Sequence, residues 1–198
     1  MSAYVYSYKD NLYLNITNRC TNACVFCLKN KKTGVGNYDL RLSKDAEFSD
    51  VLTQLNDIDL SKYNECVFCG FGEPTLNMQC LIKLAVFLKK KGKIVRLNTN
   101  GQANLYHKAD ITPELQGLID IVSISLNAPD AKEYQELSNS IYGENAYAEV
   151  LDFAKKCKKY IPRVIFTVVD MISENDIQKC RQTADELGVE FRVRKYLN

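Results

Sequence analysis

No charge of one sign dominates the chain. Against 26 Lys and Arg stand 24 Asp and Glu, a formal net charge of +2 over 198 residues. That balance leaves no electrostatic footprint for nucleic acid or an anionic membrane. Long apolar runs are missing too. The longest, 81–88, is interrupted by Lys83, so no segment spans a bilayer. The first 20 residues hold Tyr, Asn and Asp where a secretory leader needs an apolar stretch, and the expected location is cytoplasmic. No linker or low-complexity tract divides the chain, so a single domain over 1–198 is expected. Histidine is nearly absent. His107 stands alone in a polar stretch and reads as a surface residue.

Cysteine is abundant by contrast, with eight copies. In a reducing compartment this argues against disulfides and towards metal or redox chemistry.

Short β-type runs alternate with helical runs. Strands are expected over 12–17, 65–70, 93–100, 120–126, 163–169 and 190–196, each bounded by Gly, Pro, Asn or Asp. Helical periodicity fills 45–56, 78–91, 145–160 and the stretch from Ser173 to Leu187. Alternating β and α units imply a mostly parallel sheet. In strand 1, Tyr13, Asn15 and Thr17 oppose Leu12, Leu14 and Ile16; in strand 4, Ser123, Ser125 and Asn127 oppose Val122, Ile124 and Leu126. A sheet covered by helices on both faces is apolar on both. One polar face instead predicts a curved sheet with helices outside and a polar lumen, a partial (β/α)6 barrel of TIM type, open at one side. A closed eight-unit barrel needs ~250 residues.

Just after strand 1 comes Cys20, then Cys24 and Cys27, a CxxxCxxC spacing. In a β/α barrel that position is the catalytic face. Three thiolates on one loop suit three irons of a [4Fe–4S] cluster and leave the fourth iron open. The alternative is a zinc-stabilised, non-enzymatic binding module, with a distant fourth ligand; Cys66 and Cys69 form an available CxxC. No CxxC follows Cys80, which speaks against an auxiliary cluster. Cys66, Cys80, Cys157 and Cys180 read as core thiols, whereas Cys69 lies within reach of the site.

Strand 2 ends in Gly70, Phe71, Gly72, Glu73 and Pro74, strand 3 in Asn98, Thr99, Asn100 and Gly101. Following CxxxCxxC in this order, the set resembles the radical S-adenosylmethionine (SAM) superfamily, over nearly the entire chain. Stretches 12–20, 67–76, 96–101, 122–130 and 191–194 are similar to the TatD family-associated radical SAM proteins. The resemblance implies a radical enzyme in which Cys20, Cys24 and Cys27 hold the cluster. It implies that SAM is cleaved reductively to a 5′-deoxyadenosyl radical that abstracts hydrogen from a substrate. Phe26 would stand beside the adenine. Phe71, Gly72 and Glu73 would receive the methionyl ammonium, with Phe71 replacing the first glycine of the common Gly-Gly-Glu-Pro. Asn98, Thr99 and Gly101 are candidates for the carboxylate or ribose, although alternation points Asn98 and Asn100 inward. Ser123, Ser125 and Asn127 fit the ribose, and Val168, with its neighbours, the adenine.

Arg192 and Arg194, inward on strand 6, suit a substrate carboxylate or phosphate, or an ion pair within the barrel. Lys29, Lys31, Lys32 and Arg41 read as a solvated loop face. The expected partners are a small acidic substrate, or a target protein if the chain is an activase. An electron donor such as flavodoxin or ferredoxin and a link to a TatD-like hydrolase complete the expectation.

Overall fold

The computed structural model describes residues 3–30 and 34–196. The chain enters as a hairpin of β1 (Val5–Tyr8) and β2 (Asn11–Leu14), with Lys9 at φ 52° in its turn. A small ribbon of β3 (Gly34–Val35) and β4 (Tyr38–Asp39) follows the cysteine loop. The β/α series then runs α1 (Phe48–Asn56), β5 (Glu65–Phe68), α2 (Met78–Lys90), β6 (Ile94–Thr99) and α3 (Ala103–His107). It continues with β7 (Ile121–Ser125), α4 (Ala131–Ser138), α5 (Asn145–Cys157), β8 (Arg163–Val169), α6 (Glu174–Leu187) and β9 (Glu190–Arg194).

The main sheet has the order β1-β2-β5-β6-β7-β8-β9. The β1–β2 pair is antiparallel and the remaining pairs are parallel. Each new parallel strand is added beside the last, the winding of a barrel rather than of a doubly wound sheet. Among the described residues β9 does not pair with β1, so the barrel stays open. The six parallel strands and the open form agree with the sequence expectation.

The two faces of the sheet differ as period-two alternation requires. On one, Leu14, Phe68, Leu97, Ile124 and Phe166 are buried with the inner stripes of the helices. The spacing makes those stripes. In α5, Ala146, Val150, Phe153, Ala154 and Cys157 recur at steps of four, three, one and three, and all are buried. The opposite face carries Asn15, Thr17, Ser123 and Thr167, polar yet buried, and forms the lumen.

Sequence reasoning omitted β1, the β3–β4 ribbon, α3 and α4. His107, expected in a surface loop, ends α3; its Nε2 lies 2.8 Å from Thr75 O and its ring packs edge-on against Tyr106. Ser173 does cap α6, accepting from Asp176 N–H at 3.2 Å, and Gly188 closes the helix at φ 62°. Ser173→Ala is expected to cost about 1 kcal/mol, read as a lower urea midpoint with an unchanged slope.

Candidate functional site

The C-terminal tips of the parallel strands surround a cleft of about 270 Å³. The loop after β2 forms one wall. Cys20 is exposed and Cys24 and Cys27 are partly buried; all three thiols are free and border the cleft. A tight turn sets the last two, with Cys27 N–H donating to Cys24 O at 3.0 Å.

The rest of the loop is strapped to the C-terminal end of α4 and the residues that follow it. Ala23 N–H donates to Ser138 O, Val25 N–H to Leu137 O, and Ile141 N–H to Thr21 O. A polar knot fixes this strap from below. Gln102 Nε2 donates to Asn22 Oδ1 at 2.8 Å and to Tyr134 Oη at 2.9 Å, while Ser140 Oγ donates to Gln102 Oε1 at 3.0 Å. Gln102, Tyr134 and Ser140 are buried. None of these residues stood out in the sequence, because a hydrogen-bonded knot has no fixed spacing.

Burial dominates the environment of the thiols. Burial and the Glu73 carboxylate push Cys20 up to about 12, and burial and Cys27 push Cys24 up to about 11. Such thiols are poor nucleophiles at neutral pH and ionise by exchanging a proton for a metal. Among the described residues no three His, Cys, Asp or Glu side chains converge on a single ion. A mononuclear zinc needs that convergence. A cluster does not, since each thiolate binds a separate iron. The CxxC of β5 also fails as a ligand pair. Cys66 is buried in the core and Cys69 borders the cleft, on the other side of the strand. Cys80, Cys157 and Cys180 are buried core thiols, as expected.

Glu73 is the hub of the second wall. Its Oε1 accepts from Thr75 N–H at 3.2 Å, Thr75 Oγ at 2.8 Å and Thr99 Oγ at 2.8 Å; its Oε2 accepts from Asn100 N–H at 2.7 Å. Glu73 is 3% exposed, and that burial pushes its pKa above the ordinary carboxylate value despite the four donors. Thr99 therefore positions Glu73, and Oε2 takes only one of the four bonds. Asn100 ties the same tip to the cysteine loop, its Nδ2 donating to Thr21 Oγ at 2.8 Å.

Gly72 is glycine for a reason the sequence did not give. A Cβ there would lie 2.3 Å from Thr17 O and 2.6 Å from Arg19 O. The turn packs backbone to backbone against the base of the cysteine loop, and Glu73 N–H donates to Arg19 O at 2.8 Å. Gly72→Ala is expected to push this loop outward and lower the iron retained after reconstitution, measured per folded chain.

The expected site residues otherwise divide clearly. Phe26, Phe71, Asn98, Thr99, Ser123, Ser125 and Asn127 all border the cleft, as does Arg194. Asn98 Oδ1 and Asn127 Oδ1 are buried there without a hydrogen-bond partner. Asn127 holds φ 58°, which turns the strand tip inward. Gly101 and Val168 do not border the cleft. Gly101, at φ 78°, packs towards Ile124 and Val150, and its N–H donates to Thr99 Oγ. Val168 is fully buried on the helix side, and its neighbours Thr167 and Val169 form the cleft wall. Arg192 lies outside the cleft, with Nη2 donating to Ser123 Oγ at 3.3 Å. Lys29 and Arg41 are exposed; Lys31 and Lys32 lie outside the described residues.

This donor set fits an iron–sulfur cluster and a polar ligand beside it: soft thiolates on one wall, orphaned buried acceptors on the other. No helix of the described chain is long and apolar enough to cross a membrane.

Comparison with known proteins agrees. The family model of the Radical SAM superfamily matches residues 14–187. An uncharacterised protein of Methanocaldococcus jannaschii is 24% identical over 191 residues, covering 93% of this chain and 57% of the relative. A second protein of that organism, named as a candidate glycyl-radical enzyme activating enzyme, is 29% identical over 136 residues, 66% of this chain and 54% of that protein. The chain thus spans little more than half the length of these curated relatives. Among solved structures, SuiB of Streptococcus suis bound to S-adenosylmethionine superposes with a TM-score of 0.66 at 18% identity, covering 94% of this chain and 38% of SuiB. A radical SAM methyltransferase from Sphaerobacter thermophilus gives 0.62 at 15% identity, covering 96% of this chain and 57% of that one. At these identities the structures speak for the fold alone, a partial TIM barrel. The family match takes in all three loop cysteines and every strand tip up to β8. The chain belongs to the radical SAM superfamily, whose members are enzymes that use a [4Fe–4S] cluster and S-adenosylmethionine.

Proposed function

We propose that this chain binds a [4Fe–4S] cluster through Cys20, Cys24 and Cys27 and, beside it, S-adenosylmethionine. When bound, the pair supplies a 5′-deoxyadenosyl radical that abstracts hydrogen from a substrate carbon. The observation that carries this reading is the placement of three free thiols opposite buried, unpartnered acceptors around one cleft.

The protein's part is to hold and to exclude. Phe26 offers a ring beside the adenine. The carbonyls of Phe71 and Gly72, with Glu73 Oε2, face an ammonium. Asn98 Oδ1, Asn127 Oδ1, Ser123 and Ser125 suit ribose hydroxyls, with Thr167 and Val169 beneath the base. A cleft of about 270 Å³ is at the low end for small-molecule sites. A nucleoside-sized cofactor fills it, so the substrate is small or enters through the open flank.

Anaerobic reconstitution with iron and sulfide, then dithionite and S-adenosylmethionine, is expected to release 5′-deoxyadenosine, followed by chromatography. A colourless protein holding about one zinc per chain would overturn the reading in favour of a binding module.

A second reading is an activase, whose target protein closes the open flank. The relative named as a candidate glycyl-radical activating enzyme favours it. The inward arginines favour a small acidic substrate instead. Deuterium carried from a labelled candidate into 5′-deoxyadenosine separates the two. The TatD-associated placement rests on the sequence stretches given above, and the hydrolase link follows from it. A flavodoxin or ferredoxin of the cytoplasm would supply the electron.

A further inference from the structure

Three arginines stand on the polar face of the sheet. Arg192 and Arg194 of β9 share it with Arg96 of β6, which is 7% exposed. The carboxylate beside Arg96 is Glu65, whose Oε2 lies 3.2 Å from Arg96 Nε. Glu73 is committed to four uncharged donors. Three guanidiniums therefore share one ion-pair partner among the described residues, and two are left without one.

The excess falls on β9. The side chain of Arg192, an exposed residue, makes a single hydrogen bond among the described residues, to Ser123 Oγ. Burial, Arg96 and Arg194 together hold it below the ordinary arginine value. Arg194 borders the cleft, and its guanidinium has no hydrogen bond or ion pair among the described residues. Its Nε is sealed from solvent without an acceptor. Burial also draws Arg194 down, yet a guanidinium keeps its proton. Arg194 is partly buried, and a sealed guanidinium nitrogen without an acceptor is costly and calls for an anion. The planar fork suits a bidentate oxyanion.

We propose that Arg194, backed by Arg192, is the receptor for a dianionic group of the substrate, a phosphate monoester or a dicarboxylate. It stands at the end of β9, the edge strand of the described sheet, and borders the same cleft as Cys69. A substrate entering from the flank is gripped by its charged end there and leaves its carbon chain towards the cleft. The placement of the reacting carbon rests on the radical-enzyme reading; the anion site does not.

The test is thermal unfolding of the full chain with rising inorganic phosphate or succinate, ionic strength held constant with chloride. Either anion is expected to raise the midpoint of the parent; phosphate alone marks a phosphate ester and succinate alone a dicarboxylate. Arg194→Gln is expected to weaken the response at least ~10-fold, with Arg194→Lys intermediate because charge survives and the fork does not. The proposal is overturned if neither anion stabilises the parent, or if Arg194→Gln responds like it. It is also overturned if Arg194→Gln loses stabilisation by S-adenosylmethionine and keeps that by the anions. Failure of the radical reading shows separately, as absent 5′-deoxyadenosine in a protein that still binds the anion.

Discussion

Cys24→Ala is expected to fold, to retain no [4Fe–4S] cluster and to form no 5′-deoxyadenosine. The loop keeps its course because its straps are backbone bonds, Ala23 to Ser138 and Val25 to Leu137, which the substitution leaves in place. What disappears is one of three ligands. Outer-shell partners alone cost ~10–100-fold in metal affinity, and a lost ligand exceeds that. Iron and sulfide content, the visible absorption of the cluster and chromatography of the nucleoside are the measurements. Cys66→Ala is the control, since Cys66 faces the core on the other side of β5. It is expected to keep the cluster at a modest loss of stability. A Cys24→Ala protein that reconstitutes like the parent would remove this thiol from the site.

Glu73→Ala carries the second large effect, a loss on the order of 3–5 kcal/mol in urea unfolding. Its carboxylate accepts from Thr75 twice, Thr99 and Asn100, all buried. Truncation leaves those donors without an acceptor. Glu73→Gln keeps the shape and is expected to lose less, chiefly the bond at Oε2. Comparing the parent with Glu73→Gln also isolates one titration. Burial raises the folded-state pKa of Glu73, so its protonation favours the fold. Its contribution is complete below the unfolded value of ~4.3 and is lost as pH rises through the folded value. The parent's advantage over Glu73→Gln is therefore widest in acid and narrows with rising pH. An advantage that grows with pH would contradict this.

Much of the architecture is legible because alternation writes it plainly. Leu12, Leu14 and Ile16 against Tyr13, Asn15 and Thr17 define a sheet with one wet face, and that excludes a doubly wound sandwich. The hairpin strand β1 was missed although Val5–Tyr8 alternates as well, since a search for β/α spacing passes over an antiparallel strand. At the strand tips alternation itself fails. Asn98, Thr99 and Asn100 all border the cleft, because the chain leaves the pleat there and turns on the bonds of Glu73. The same departure moves Gly101 to the packing side. Residues selected for chemistry, the cysteines and Glu73, announce themselves by type. Those that hold the chemistry in place, Gln102, Tyr134 and Ser140, are spread over the chain and meet only when it folds.

The open barrel leaves β9 as an edge strand. Edges with free backbone groups invite a second copy to pair and extend the sheet. Inward-pointing charge is one natural defence, since a docked neighbour would bury it. Arg192 and Arg194 place that charge on the flank where a copy would add itself, with Lys195 just beyond. The residues proposed to receive an anion would thus also guard this rim against self-association.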